Sequence, residues 1–268
     1  MKCVVITGST KGFGYELAKK FKSLGYNVVI SGTNTNRLKE ASIELNAIKS
    51  KSKAITVRCD VSDSQEVDNL WNRAIKEFDE VTIWINNAGI NQANKPIYLL
   101  SNEEIELLLD IDLKGAIFGS KTAFNGMKKQ GYGKIFNVEG FGSNDIYRMG
   151  ISIYGTSKRG LTYFTKALAK ESKELTKSKI IVGRISPGVM ITEFIRNANH
   201  GVTSIKLEEK AKKFYNIAGD FPEDVANFVT KKIIKCSKND SHIVWLTKRK
   251  ILFRLLRSPF YKRDFFIN

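Results

Sequence analysis

Short, wholly apolar runs alternate along the chain with longer amphipathic segments. The first run, Cys3-Val4-Val5-Ile6, leads through a glycine-rich turn into residues 15–24, which have helical periodicity. Such a run is typical of a strand buried on both faces of a parallel sheet. The pattern repeats, and it predicts strands over residues 3–6, 27–31, 54–58, 81–85, 134–138, 180–185 and 242–246. Alternation this regular predicts an α/β fold with right-handed crossovers and a parallel sheet flanked by helices.

The glycine-rich turn lies between the first strand and the first helix, which is where a dinucleotide-binding loop occurs. Its glycines are spaced GxxxGxG. Glycine lets the backbone approach a pyrophosphate, whose charge is then stabilised by the helix N-terminus. The predicted cofactor contacts in this loop are Gly8, Ser9, Lys11, Gly12, Phe13 and Gly14.

The end of the second strand predicts which dinucleotide is bound. An NAD-dependent enzyme usually has an acidic residue there for the ribose 2′-hydroxyl, whereas this chain has Gly32-Thr33-Asn34. Without a carboxylate to repel it, a 2′-phosphate could be held by Lys11 and by hydrogen bonds from Thr33 and Asn34, with Arg37 nearby. We therefore expect NADP(H) as the cofactor.

Further cofactor contacts are predicted where other strands end. Asp60 is expected to accept from the adenine amino group and the Val61 amide to pair with the ring, while Ser62 is expected to cap the next helix. Small residues after the fourth strand let the cofactor lie against the strand end, and the asparagines there can pin the crossing backbone. After the sixth strand, the chain turns over the nicotinamide. The remaining predicted contacts are Asn87, Ala88, Gly89, Pro187, Gly188, Val189 and Thr192.

Tyr154 and Lys158 form the predicted catalytic pair. Residues four apart on a helix share a face, so the phenol and the ammonium can point into one cleft. A cation that close lowers the pKa of a tyrosine from its free value of about 10, which makes the phenol usable as a proton donor or acceptor. The spacing alone is unspecific; its value comes from the motifs around it.

Composition limits the alternatives. The chain has 268 residues, 42% of them hydrophobic, enough for one large core and no obvious second domain. We expect a single domain over residues 1–268, divided into a cofactor-binding and catalytic core (1–196), a substrate lid (197–218) and a C-terminal extension (248–268). His200 in the lid is expected to be a surface residue.

Cysteine and histidine usage argues against a metal site. Cys3, Cys59 and Cys236 are scattered, and His200 and His242 are the two histidines. This pattern excludes a disulfide framework and a multi-histidine metal site, and it fits reduced thiols in the cytoplasm. The first strand begins almost at the N-terminus, so we expect no leader peptide.

The net charge of +17 suggests an anionic partner. No nucleic-acid-binding motif accompanies it, so we expect no nucleic acid partner. Basic and apolar residues alternate over 248–263, which favours an amphipathic helix. That helix either lies on an anionic membrane surface or over the substrate cleft, or packs on the body or on a partner subunit.

Four motifs occur in order along the chain: Thr7-Gly8-x-x-x-Gly12-x-Gly14, Asn86-Asn87-Ala88-Gly89, Tyr154-x-x-x-Lys158 and Pro187-Gly188-x-x-x-Thr192. Together they resemble the short-chain dehydrogenase/reductase family over roughly residues 2–247. The resemblance implies a doubly wound Rossmann fold with about seven strands. It also implies that Tyr154 is the acid, that Lys158 binds the nicotinamide ribose, and that a small-molecule carbonyl is the substrate. It further implies a homodimer or homotetramer, with helices over 116–127 and 153–177 as the paired surface.

Two positions depart from the family's common pattern. Asp112 stands where an asparagine usually holds a proton-relay water. Gly140 stands where a serine usually donates to the substrate carbonyl, and Ser143 is the candidate replacement. Removing such a donor typically costs about 2.7–4 kcal/mol.

The run Asn137-Val138-Glu139-Gly140-Phe141-Gly142-Ser143 resembles the chlorophyll b reductase branch of the family. The resemblance implies NADPH-dependent reduction of the 7-formyl group of chlorophyll b or of a related substrate. Two alternatives remain open. One is a general aldehyde, ketone or 3-oxoacyl reductase, and the other is an NADP(H)-binding regulator that has lost catalysis.

Overall fold

The computed structural model describes residues 1–191, 209–258 and 263–265, with backbone alone for 209–211. Thr192 and the first part of the predicted lid, residues 197–208, lie outside the described residues, as do residues 259–262 and 266–268 of the predicted extension. Within the described residues, no helix is long and apolar enough to cross a membrane.

Seven parallel strands form the central sheet, in the order β3-β2-β1-β4-β5-β6-β9. The predicted doubly wound parallel sheet is therefore confirmed. The strands of this sheet are β1 (Cys3–Ile6), β2 (Asn27–Gly32), β3 (Ala54–Arg58), β4 (Ile83–Asn86), β5 (Gly133–Val138), β6 (Ile180–Ser186) and β9 (Ser241–Val244). A separate two-stranded pair, which the pattern did not predict, joins β7 (Val189–Met190) to β8 (Gly219–Asp220).

Helices cover both faces of the sheet. They are α1 (Gly12–Ser23), α2 (Thr35–Ala47), α3 (Ser64–Phe78), α4 (Asn102–Leu109), α5 (Gly115–Gln130), α6 (Ser152–Thr176), α7 (Glu209–Ala218), α8 (Pro222–Lys235) and α9 (Lys248–Arg257). A 3₁₀ turn spans Ile97–Leu99, and a π-helical turn over Asp110–Lys114 joins α4 to α5.

The apolar runs are continuous because their residues alternate between two cores. Val5 lies in the core beneath α3, α5 and α6, while Val4 and Ile6 lie in the core beneath α1, α2 and α8. Because successive side chains of a strand point to opposite faces, both faces of β1 must be apolar. This explains why the strand pattern predicts the sheet so directly.

One local prediction needs correction. Helix α3 is capped by Asp63, whose carboxylate accepts from the amides of Gln65 and Glu66; the prediction that Ser62 is the cap is wrong. The Ser62 amide and hydroxyl instead both donate to Asp60. Either residue type suits a cap, so the identity of the residues alone could not decide between neighbours.

Candidate active site

The site lies where the strand order reverses, between β1 and β4, at the carboxyl ends of the strands. This switch point is where open α/β sheets bind ligands. Two short segments meet there. The Asn87 side-chain amide donates to the carbonyl oxygens of Thr7 (3.0 Å) and Gly8 (2.9 Å), and the Ala88 amide donates to the Thr7 hydroxyl at 3.1 Å. Asn87 therefore pins the glycine loop, as predicted.

The glycine loop leaves no room for a side chain at Gly8 or at Gly14. Gly8 and Gly12 have φ values of 58° and 59°, in the region that favours glycine. A Cβ on Gly8 would lie 2.6 Å from the Cα of Ala88, and one on Gly14 would lie 2.8 Å from the Gly8 carbonyl oxygen. At these glycines the loop therefore presents backbone alone at the start of α1.

The start of α1 suits an anion. The N-cap residue, Lys11, makes no side-chain capping hydrogen bond, and the first turn contains no acidic residue. The amides at a helix N-terminus carry partial positive charge and need acceptors. A pyrophosphate supplies such acceptors, so the residues present fit a dinucleotide.

Two predicted loop contacts are restricted by packing. The Ser9 hydroxyl donates to the Ile6 carbonyl at 2.6 Å and accepts from the Ser31 amide at 3.1 Å. Phe13 is buried in the core beneath α1. Both side chains are therefore occupied within the fold, which leaves only their backbone for a cofactor.

The predicted ribose-phosphate end is exposed and lacks a carboxylate at the strand terminus. Lys11, Thr33, Asn34 and Arg37 are all exposed. The side-chain oxygen of Asn34, Oδ1, caps α2 by accepting from the Arg37 amide at 3.0 Å. The NH₂ group of the same side chain is left as the donor for a phosphate.

The predicted adenine contacts lie at the end of β3. Asp60 has one carboxylate oxygen committed to Ser62. Val61 is buried, and its side chain would lie 2.7 Å from a Cβ on Gly115. An adenine would therefore meet the second Asp60 oxygen and the Val61 backbone.

A buried ion pair lies beside Tyr154, the predicted catalytic residue. Lys158 Nζ lies 2.9 Å from Asp112 Oδ2, and both side chains are almost fully buried. The other Asp112 oxygen accepts from the Ile90 amide at 2.7 Å. A Cβ on Gly89 would be 3.4 Å from both members of the pair. The structure thus brings Asp112, Gly89, Lys158 and Tyr154 together, with Lys158 Nζ 5.4 Å from the Tyr154 ring centre.

The π-helical turn places the aspartate. Asp112 sits within it, between two regular helices, and π turns are frequent at functional sites because they redirect a side chain. This turn points the carboxylate inward, whereas Asp110, on the same turn, is half-exposed and pairs with Lys114 at 2.7 Å.

The charges shift the pKa of each group in the site. Burial raises the pKa of Tyr154, and the Asp112 carboxylate adds to this, so the opposing effect of Lys158 is outweighed. The expectation of a lowered tyrosine pKa is therefore wrong. Burial lowers the pKa of Lys158, but Asp112 and Tyr154 reverse this and the pKa is raised. Burial raises the pKa of Asp112 against the attraction of Lys158.

The missing serine has a steric explanation. A Cβ built on Gly140 would overlap the Tyr154 hydroxyl oxygen, so a serine at this position would require the phenol to shift. The predicted substitute, Ser143, is buried, and its hydroxyl donates to the Gly140 carbonyl at 2.7 Å. Its role as a donor to substrate stays a prediction, and that role requires the hydroxyl to leave the Gly140 carbonyl.

In the turn predicted over the nicotinamide, Pro187, Gly188 and Val189 are among the described residues, and Thr192 is not. Gly188 has a φ of 77°, and a Cβ there would lie 2.6 Å from the Cβ of Leu246. Pro187 precedes it, and Val189 begins β7.

Sequence reasoning missed Gln92. Gln92 is buried. Its side-chain oxygen, Oε1, accepts from the Tyr154 amide at 3.0 Å, and its side-chain NH₂ donates to the Gly150 carbonyl at 2.9 Å. Gln92 therefore holds the start of α6, and with it the backbone of Tyr154. It belongs to no motif and is 62 residues from its partner, so no local signal could identify it.

Glu139, next to the site, is the second residue that sequence reasoning missed. Its carboxylate accepts from Thr162 at 2.8 Å and Ser186 at 2.5 Å, and it lies 3.0 Å from His242 Nε2 and 3.5 Å from Arg184. Burial opposes its ionisation, but the hydrogen bonds from His242, Ser186 and Thr162 outweigh burial and lower its pKa to about 2. The cluster joins the end of β5 to α6, β6 and β9.

Replacing Glu139 with glutamine is expected to lower the free energy of unfolding at pH 7 by about 3 kcal/mol, since breaking a buried pair costs about 3–5 kcal/mol. A carboxylate whose pKa is depressed stabilises the fold above its unfolded pKa. The difference between the two proteins is therefore constant above about pH 5 and disappears as the pH falls towards 2. Urea denaturation over a range of pH measures both the loss of unfolding free energy and its dependence on pH.

Glu77→Gln is the matched control, because Glu77 makes an exposed pair with Lys53 at 3.6 Å. Such pairs contribute about 0–1 kcal/mol. Equal losses of stability in the two variants contradict a special role for Glu139.

The chain is similar to known proteins over most of its length. A family model described as "short chain dehydrogenase" matches residues 2–203. The chain is 31% identical over 271 residues to "Probable chlorophyll(ide) b reductase NYC1, chloroplastic" of Arabidopsis thaliana, covering 95% of this chain and 52% of that protein. It is 32% identical over 247 residues to the 3-oxoacyl-[acyl-carrier-protein] reductase FabG of Aquifex aeolicus (strain VF5), covering 90% and 92%.

A crystal structure of levodione reductase matches with a TM-score of 0.82 at 20% identity, covering 93% of this chain and 97% of that one. That likeness concerns the fold alone, and it agrees with the doubly wound sheet. The chain spans about half the length of the Arabidopsis relative.

Proposed function

The chain belongs to the short-chain dehydrogenase family, and on that premise we propose that it is an NADPH-dependent reductase of an aldehyde or ketone. The observation that carries the proposal is the buried Lys158–Asp112 pair beside Tyr154, next to a bare glycine loop at the start of α1. A proton donor beside a dinucleotide-binding backbone is the arrangement that carbonyl reduction requires.

When bound, the reduced nicotinamide supplies the hydride. Tyr154 holds the proton that the developing alkoxide needs, and the raised pKa keeps its phenol protonated at neutral pH. Lys158, which stays charged through Asp112, is the residue for the nicotinamide ribose and stabilises the phenolate left after transfer. Burial of all three groups excludes water, which strengthens these interactions.

The preference for NADPH rests on Lys11 and on the lack of a carboxylate at the end of β2. Lys11→Ala is expected to raise the KM for NADPH about tenfold, because a hydrogen bond to a charged group contributes about 1.5–3 kcal/mol. The KM for NADH should change less than about twofold, since NADH has no 2′-phosphate. Steady-state kinetics with both cofactors measures this.

Lys39→Ala removes an exposed charge from α2 and serves as the control for general loss of positive potential. A wild-type enzyme that clearly prefers NADH contradicts the cofactor proposal.

The substrate that we propose is a large apolar aldehyde, such as the 7-formyl group of chlorophyll b or a relative of it. The loop between β5 and α6 carries four exposed apolar or aromatic residues: Phe141, Ile146, Tyr147 and Met149. This loop runs from Gly140, beneath the Tyr154 hydroxyl, to the start of the catalytic helix. Exposed apolar patches of this kind mark binding surfaces, and they suit a substrate with an extended apolar body. The likeness to the Arabidopsis reductase also supports this choice.

A 3-oxoacyl or simple ketone reductase is the second candidate. It is favoured by the likeness to the Aquifex reductase, which this chain matches over nearly its full length. NADPH oxidation with chlorophyll b, simple aldehydes and acetoacetyl thioesters separates the two. Tight NADPH binding without turnover of any substrate contradicts both and favours a regulator.

We also propose a homodimer or homotetramer formed through α5 and α6. On α6, Leu161 and Leu168 are buried in the protomer's own core, whereas Tyr163 and Leu175 are exposed. Tyr163 and Leu175 are therefore better candidates for the contact, and light scattering of the purified protein gives the subunit count.

A further inference from the structure

Helix α9 is attached to the body by its charges and presents its apolar residues outward. The usual surface helix does the reverse, with its apolar stripe on the core. In α9 the inward residues include Lys250 and Arg254, while Leu252, Phe253 and Leu256 are 56–67% exposed. We propose that the outward apolar face of α9 binds the surface of an anionic membrane.

Asp220 fixes this orientation. It is 4% exposed, and it accepts from Arg254 at 2.7 Å and from the Trp245 indole N–H at 2.7 Å. Arg263 lies 3.4 Å and Lys250 3.8 Å from the same carboxylate. Arg254 also donates to the Ala218 carbonyl at 3.1 Å. Removing cations from this buried acid is costly, so α9 cannot easily roll to hide its apolar side.

The composition of the outward face suits a bilayer surface. Leu252, Phe253, Leu255 and Leu256 are bordered by exposed cations, Arg249 near the first turn and Arg257 in the last. The helix contains no acidic residue. Peripheral membrane binding has two components: apolar side chains enter the interface, and cations pair with anionic headgroups.

Charge also argues against a second copy as the occupant. A two-fold contact places the same patch of both subunits face to face, which would bring the cations of two acid-free helices together. An anionic surface instead neutralises them, and the chain's net charge of +17 adds to the attraction.

The position of α9 connects this surface with the site. Leu246, just before the helix, packs against Gly188 in the turn expected over the nicotinamide. A membrane-bound α9 would therefore hold the cleft close to the bilayer, where apolar substrates partition. The membrane proposal nevertheless stands without any particular substrate.

Co-sedimentation of the full chain with vesicles tests the proposal. We expect binding to vesicles of phosphatidylcholine with phosphatidylglycerol, and little binding to phosphatidylcholine alone. The triple variant L252S/F253S/L256S is expected to bind about tenfold more weakly or worse, since its apolar contact is lost. R249E/R257E is expected to lose the preference for anionic vesicles, because each cation near an anionic surface raises the binding affinity about fivefold.

L24S/I43S is the matched control, since both residues are exposed apolar side chains outside the tail, and it should bind like the parent chain. Equal binding to both vesicle types, or unchanged binding of the triple variant, overturns the proposal. A change in subunit number of the triple variant without lipid also overturns it and identifies a contact between copies. Turnover of a water-soluble aldehyde should be unchanged in all variants, which separates this test from the proposed reductase activity.

Discussion

Replacing Tyr154 with phenylalanine is expected to lower kcat by about 10³-fold, within the 10²–10⁴ range that a positioned proton donor contributes. The ring remains, so the packing above Lys158 and against Gly140 is preserved. Only the proton donor is removed. The Kd for NADPH should therefore change less than about twofold, because the glycine loop and the start of α1 are untouched.

Tyr132→Phe is the control for this experiment. Tyr132 is 45% exposed and directly precedes β5, at the edge of the sheet opposite the site, so losing its hydroxyl should leave kcat unchanged. NADPH oxidation that continues at the parent rate in Tyr154→Phe contradicts the mechanism. A loss of NADPH binding together with kcat would instead indicate damage to the fold, which the melting temperature reveals.

The fold was predictable because its signal is local and repeated. Each strand of a doubly wound sheet is buried on both faces, so Val4 and Val5 must both be apolar although they belong to different cores. This requirement is visible in any four-residue window. The small β7–β8 pair was not predictable, because two residues per strand leave no periodicity to detect.

The site was predictable as far as its motifs reach. The glycine loop, Asn87 and the Tyr154–Lys158 pair were all identified from spacing, and the structure brings them together. Gln92 and the Glu139 cluster were missed, since their partners are remote in sequence. The error in the Tyr154 pKa has a different origin: the spacing shows that Lys158 is close, but it does not show how completely the phenol is buried, and burial is the largest cause of the raised pKa.

Asp112 adds to the effect of burial on the pKa of Tyr154, and Asp112→Asn tests its share. Asparagine has nearly the same shape and can still accept from the Ile90 amide, so the change removes mainly the negative charge. Asp112 raises the pKa of Tyr154, and it also attracts the Lys158 ammonium that would lower that pKa. Removing its charge is expected to lower the pKa of Tyr154.

Reduction needs the protonated phenol, so activity falls as the pH rises through the tyrosine pKa. The alkaline limb of the pH profile of kcat/KM for carbonyl reduction should consequently move to lower pH in Asp112→Asn. Oxidation of an alcohol needs the phenolate, and its pH optimum should move to lower pH as well. A limb that stays in place, or moves to higher pH, contradicts the assignment.

Asp110→Asn is a close control, because Asp110 lies on the same π-helical turn but pairs with Lys114 in a half-exposed position. It should leave the pH profile unchanged and cost about 0–1 kcal/mol of stability. Asp112→Ala should cost about 3–5 kcal/mol in urea denaturation, since it leaves the Lys158 ammonium buried without a partner. Asp112→Asn should cost less than Asp112→Ala, because it keeps an acceptor for the Ile90 amide. If the two Asp112 variants lose equal stability while the pH profile stays fixed, Asp112 serves packing alone and the proton chemistry depends on Tyr154 and Lys158 without it.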